Sequence, residues 1–159
     1  VTGVAYYDAQ AYAAWAGLRL PTEAQWVRAA TSKALASGDG DEPKAADAQP
    51  LPAEEDYRVL APAASRKSDA TPLGITDMNG NVAEWTRTTY AQPGAEEPSE
   101  PPYFGSLLVV RGGSMLNMPA YPLTTRSYMR FEERRPDVGF RCVLELPRDL
   151  AAVDTLLSR

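Results

Sequence analysis

The 159-residue chain contains no histidine, and its one cysteine is Cys142. The first absence removes the side chain that most often acts as a base near neutral pH and as a ligand of zinc, copper and iron. The second excludes an internal disulfide, although it leaves the compartment open, because secreted proteins can also lack disulfides. Without imidazole nothing activates Cys142 as a nucleophile. Its setting in Gly139-Phe140-Arg141-Cys142-Val143 reads as that of a small buried hydrophobe in a strand. Long apolar runs are missing too. None approaches the roughly 18 residues of a membrane helix, and no basic-then-apolar leader opens the chain. The first residue is Val1 rather than Met. We expect a trimmed edge, so the missing leader carries no weight and localisation stays unassigned. Positive charge is in short supply: 16 Lys and Arg stand against 21 Asp and Glu, a formal net charge of −5. An acidic chain repels phosphate backbones, so nucleic acid is not an expected partner.

What is present amounts to one domain, with a hydrophobic fraction of 44% that suffices for a core. The alanine-rich stretch from Tyr6 to Ala16 reads as a helix, closed by Gly17 in a left-handed cap. Tyr12, Trp15 and Ala16 recur at helical spacing. Thr22 then caps a second helix, with Gln25 three residues on completing a capping box. Trp15 and Trp26 both read as core residues on apolar helix faces. Residues 31–72 and 91–105 lose periodicity and read as loop insertions rich in Pro, Ala, Ser and acids. The acidic run 37–42 lacks the spaced ligands of an EF-hand and reads as a solvated loop. Leu107 to Arg111 reads as a buried strand ended by Gly112-Gly113. Residues 114–137 read as irregular, Gly139 to Leu146 as a last strand, and 147–159 as a tail with a helical stripe at Leu150, Val153 and Leu157.

The densest chemistry lies in Asp77-Met78-Asn79-Gly80-Asn81-Val82-Ala83-Glu84-Trp85-Thr86. Two acids and two amides around a glycine, followed by an aromatic anchor, suit a loop whose oxygens surround calcium. That ion takes roughly six to eight oxygen ligands, many of them carbonyls of a bent backbone. The same residues also form an Asx-turn without metal.

Four blocks in this order carry a family likeness: the run from Asp8 to Trp26 with Arg19-Leu20-Pro21-Thr22-Glu23-Ala24-Gln25-Trp26, the turn above, Val110-Arg111-Gly112-Gly113-Ser114, and Gly139-Phe140-Arg141-Cys142-Val143. Together they resemble the sulfatase-modifying-factor family of formylglycine-generating enzymes. The resemblance implies an α+β, loop-rich, divergent C-type-lectin-like fold over 1–146, with short helices and a small antiparallel sheet. It implies a calcium site at Asp77, Gly80, Val82 and Glu84. It also implies an absent N-terminal part: that part lies on a preceding segment or another chain, or the fold is reduced, or the sequence is a fragment. The family's two copper-binding cysteines would fall at Asn117 and Pro122, which form no thiolate, so neither copper nor formylglycine chemistry is expected. A second branch resembles iron enzymes of ergothioneine-type pathways, whose iron sits on histidines that this chain lacks.

These residues point to a domain without catalytic residues, a ligand- or protein-binding module of a larger bacterial protein. The expected recognition surface is the irregular segment carrying Asn117, Met118, Tyr121, Tyr128, Arg130 and Phe131, because Tyr and Arg are common interface anchors. The competing expectation is an oxidoreductase whose site is completed by residues outside the chain. Arg126 and Arg141 would then hold an anion, unless they pair with Glu132, Glu133 or Asp137.

Overall fold

A computed structural model describes residues 1–31, 59–66, 70–91, 105–116 and 126–146. Two helices, α1 (Tyr6–Trp15) and α2 (Glu23–Thr31), precede four strands, β1 (Ala83–Thr89), β2 (Leu107–Arg111), β3 (Arg126–Arg130) and β4 (Val138–Phe140). The sheet order is β3-β2-β1-β4. β2 pairs antiparallel with both β1 and β3, while β4 runs parallel to β1. The sheet is therefore mixed rather than purely antiparallel.

Local chemistry explains both helices. Asp8 accepts the Ala5 N–H at 2.9 Å, which satisfies an orphan donor at the start of α1. Burial alone would raise the Asp8 carboxyl, but that N–H and the Arg134 guanidinium hold it below its usual value. At the far end Gly17 takes φ +71°. Its N–H donates to the Ala14 carbonyl, and that of Leu18 reaches Ala13 at 2.8 Å, forming a Schellman closure. α2 starts on the expected capping box: the Thr22 N–H meets Gln25 Oε1 at 2.8 Å, and the Gln25 N–H meets Thr22 Oγ1 at 3.1 Å.

The main core lies between α1 and the sheet. Tyr6, Ala9 and Ala13 form the buried stripe of α1 against Trp85, Leu108, Val110, Met129 and Val138. Small alanines let the helix approach closely, so this stripe wins over the one through Tyr12 and Trp15. Trp15 is consequently 82% exposed and is not a core residue. Trp26 is buried as expected, in a second cluster with Ala30 and Met78.

Three strand assignments differ from the sequence reading. Ala83–Thr89 forms a strand instead of continuing the turn, because both its faces are covered. Trp85 meets the α1 cluster, while Glu84 meets Trp26 on the other side. A doubly covered strand shows no alternation to read. Arg126–Arg130 forms edge strand β3 inside the stretch expected to be irregular. Its exposure does alternate, with Met129 buried between exposed Tyr128 and Arg130, but two arginines and a tyrosine masked it. The last strand is shorter than expected. β4 ends at Phe140, after which only Val143 bridges back to Arg19. Most of both expected insertions and the tail 147–159 lie outside the described residues.

Candidate functional site

The turn before β1 is bent by three left-handed residues, Asp77 (φ +56°), Gly80 (+125°) and Asn81 (+63°). Asp and Asn tolerate this conformation better than most residues. The buried Asn81 amide clamps a neighbouring loop, donating to the Ala61 carbonyl and accepting from the Ala61 N–H, both at 3.1 Å. Asp77 Oδ2 accepts from the Ala64 N–H at 2.6 Å. On the far side Gly112 (φ +82°) lies against Trp26 and Met78. A Cβ there would sit 3.2 Å from the indole and 3.3 Å from the Met78 carbonyl. Gly112 after β2 is therefore a packing requirement of this turn as well as a strand stop.

The centre of the turn is an ion pair that the sequence reading missed. Glu84 is 4% exposed. Its Oε2 accepts from Trp26 Nε1 at 2.7 Å and from Arg141 Nε at 2.5 Å, and its Oε1 accepts from Arg141 NH2 at 2.8 Å. The same guanidinium donates to the carbonyls of Thr76 and Asp77 at 3.2 and 3.1 Å. Arg141 thus joins the last block of the sequence to the turn, 57 residues apart, through planar bidentate geometry. Neither of the arginines proposed to hold an anion pairs with the acids expected for it. Arg126 meets both oxygens of Glu23 at 2.9 Å.

Of the four positions assigned to calcium, Asp77, Val82 and Glu84 line one cavity, and Gly80 lies in the turn between the first two. That cavity, of about 410 Å³, also has Leu60, Ala61 and Arg141 in its wall. The donor atoms suit a hard cation. The charge is already answered, because both Glu84 oxygens face a guanidinium. Among the described residues no three Asp, Glu, His or Cys side chains gather as a metal cluster.

In the expected recognition segment, Asn117, Met118 and Tyr121 lie outside the described residues. Tyr128 and Arg130 point outward from β3. Tyr128 stacks on Tyr90 with 4.3 Å between ring centroids, and Arg126 lies over Tyr90 at 4.9 Å. Phe131 behaves differently. It is half-buried against the core, 5.3 Å from the ring of Tyr6 and 5.7 Å from that of Tyr7. Cys142 is partly buried beside the same core, and burial pushes its thiol up, away from the reactive thiolate.

Comparison with known proteins gives a consistent pattern. The sequence profile of the sulfatase-modifying factor enzyme 1-like domain matches residues 1–146. The serine/threonine-protein kinase pkn1 of Chlamydia pneumoniae is 37% identical over 71% of this chain and 18% of its own length. The formylglycine-generating enzyme of Mycobacterium tuberculosis is 31% identical over 91% of this chain and 57% of the relative. Hercynine oxygenase of the same organism is 35% identical over 76% and 30%. The chain thus spans between 18% and 57% of the length of these relatives. The solved structure of CarF superposes with a TM-score of 0.59 at 23% identity, covering 89% of this chain and 66% of that one. At that identity the likeness speaks for the fold alone.

Proposed function

Because the chain belongs to the sulfatase-modifying factor enzyme 1-like family, we propose that it is a catalytically inactive member, a recognition module within a larger bacterial protein. One observation carries this reading. The sequence holds no histidine and one cysteine, and that cysteine is a half-buried core neighbour. A pair of thiolates for copper(I) and any imidazole for iron are thus missing from these 159 residues. The kinase relatives support the modular part, since the matched stretch is a minor share of each. The recognition surface is the segment 114–137, with Tyr128 and Arg130 as its outward anchors and Asn117, Met118 and Tyr121 beside them in sequence. Phe131 supports it from beneath. The test is a peptide assay with mass readout on a sulfatase-type cysteine substrate, run beside a copper(I) competition titration. We expect no turnover and no tight copper binding. Turnover by the chain alone would overturn the inactive reading.

Calcium at Asp77, Gly80, Val82 and Glu84 is part of the same proposal, in a restricted form. Affinity at oxygen sites follows ligand charge and rigidity. Glu84 already serves Arg141, so a cation there shares its main carboxylate with a fixed positive group. The expected affinity is at the weak end of calcium sites, on the order of 0.1–1 mM.

The hercynine oxygenase relatives favour a second reading. This chain corresponds to 30% of such a protein, so residues beyond it would complete an iron site. Iron content measured on the full-length protein separates the two readings. Stoichiometric iron supports an oxidoreductase, and its absence supports the module.

A further inference from the structure

A second, smaller cavity lies away from the turn, between α1 and the middle of β1. Its volume is about 150 Å³, and Tyr6, Gln10, Ala13, Leu18, Arg19 and Arg87 line it. The polar side chains that line it, those of Tyr6, Gln10, Arg19 and Arg87, can each donate a hydrogen bond. Tyr6 is 2% exposed, and its ring is held by Trp85 and Phe131. No group among the described residues hydrogen-bonds its hydroxyl. Arg87 Nε, by contrast, is fully buried, and it lacks a hydrogen-bond partner among the described residues. A buried donor of this kind is costly to leave unsatisfied.

The charge balance around the cavity has a sign. Arg87 NH2 and Arg19 Nε both donate to Glu145, at 2.6 and 2.8 Å. One carboxylate thus answers two guanidiniums, and one positive charge is left over. Burial raises the Tyr6 phenol, so it stays protonated as a donor to an anion and does not compete as one. The rest of the wall is alanine and leucine, which suits a short alkyl stem.

We propose that this cavity binds a carboxylate, with the buried Arg87 Nε and the Tyr6 hydroxyl as donors, Arg19 and Gln10 beside them in the wall, and Glu145 as a built-in competitor for the arginines. A planar anion with two acceptor oxygens matches a guanidinium edge and a phenol better than a spherical ion does. No residue of segment 114–137 lines the cavity, so its occupancy is read separately from the recognition surface proposed there.

The experiment titrates sodium acetate into the isotope-labelled 159-residue chain and follows amide shifts, with sodium chloride at matched ionic strength as the control. Saturable shifts confined to α1, Leu18–Leu20 and Arg87 are expected with acetate and not with chloride. Tyr6→Phe keeps the ring packing and should weaken acetate at least roughly fivefold with an unchanged melting temperature. Arg87→Gln should do the same, and Glu145→Gln should tighten binding by freeing the arginines. N-acetylalanine and its amide identify the source. Binding of the acid but not the amide points to a chain terminus, while binding of acetate alone points to a small free acid. Linear shifts shared with chloride, or acetate binding indifferent to Tyr6→Phe, would show a cavity filled by water only and overturn the proposal.

Discussion

Glu84 and Arg141 show how much of this domain rests on single side chains. The carboxylate is almost fully buried and bonded three times, by two guanidinium nitrogens and an indole. Removing the arginine leaves a buried charge with Trp26 as its remaining side-chain donor. Arg141→Met should therefore destabilise the protein by about 3–5 kcal/mol, read from denaturant unfolding. Adding Glu84→Gln to that variant removes the stranded charge and should recover part of the loss. A single Arg141→Met that unfolds like the parent would mean that the ion pair does not hold the turn. No motif announces this pair. Gly-Phe-Arg-Cys and Ala-Glu-Trp are each short, and only their meeting in space distinguishes a structural arginine from an anion-binding one.

At the scale of elements, the turn and β3 each carry a prediction. In the turn, calcium has to compete with a guanidinium for Glu84. Calorimetry should detect binding only at calcium concentrations on the order of 0.1–1 mM, with a small rise in melting temperature. Micromolar affinity would mean that Arg141 swings away, and no heat at 10 mM-range calcium, roughly an order of magnitude above that, would remove calcium from the proposal. On β3 the side chains split by face. Tyr128 and Arg130 face outward and Phe131 packs on Tyr6 and Tyr7. Tyr128→Ala and Arg130→Ala should change stability by less than about 0.5 kcal/mol while weakening a captured partner. Phe131→Ala should instead cost about 2–4 kcal/mol of stability, toward the lower part of the range for buried phenylalanine because it is half-exposed. Equal stability losses at all three would return β3 to a purely structural role.

Across the whole molecule, the missing chemistry matters more than any pocket. A domain of this family with neither histidine nor a second cysteine offers no thiolate pair and no imidazole of its own, and this is why the peptide and copper assays test the proposed inactivity on the chain alone. The linear sequence by itself determined the family, both helices with the Gly17 and Thr22 caps, strand β2 and the lack of histidine and of a second cysteine. Each of these depends on residue identity or on spacing within about one or two turns of chain. Tertiary structure decided the rest. β1 was hidden because both its faces are covered, and β3 because its outward face carries charge. Trp15 was left outside because the alanines of α1 pack closer to the sheet than its own stripe could. Arg141 and Arg126 acquired their roles from partners 57 and 103 positions away, and Tyr6 from the distant rings of Trp85 and Phe131. Burial and long-range charge pairing depend on which distant segments meet, and no local pattern in the chain encodes that.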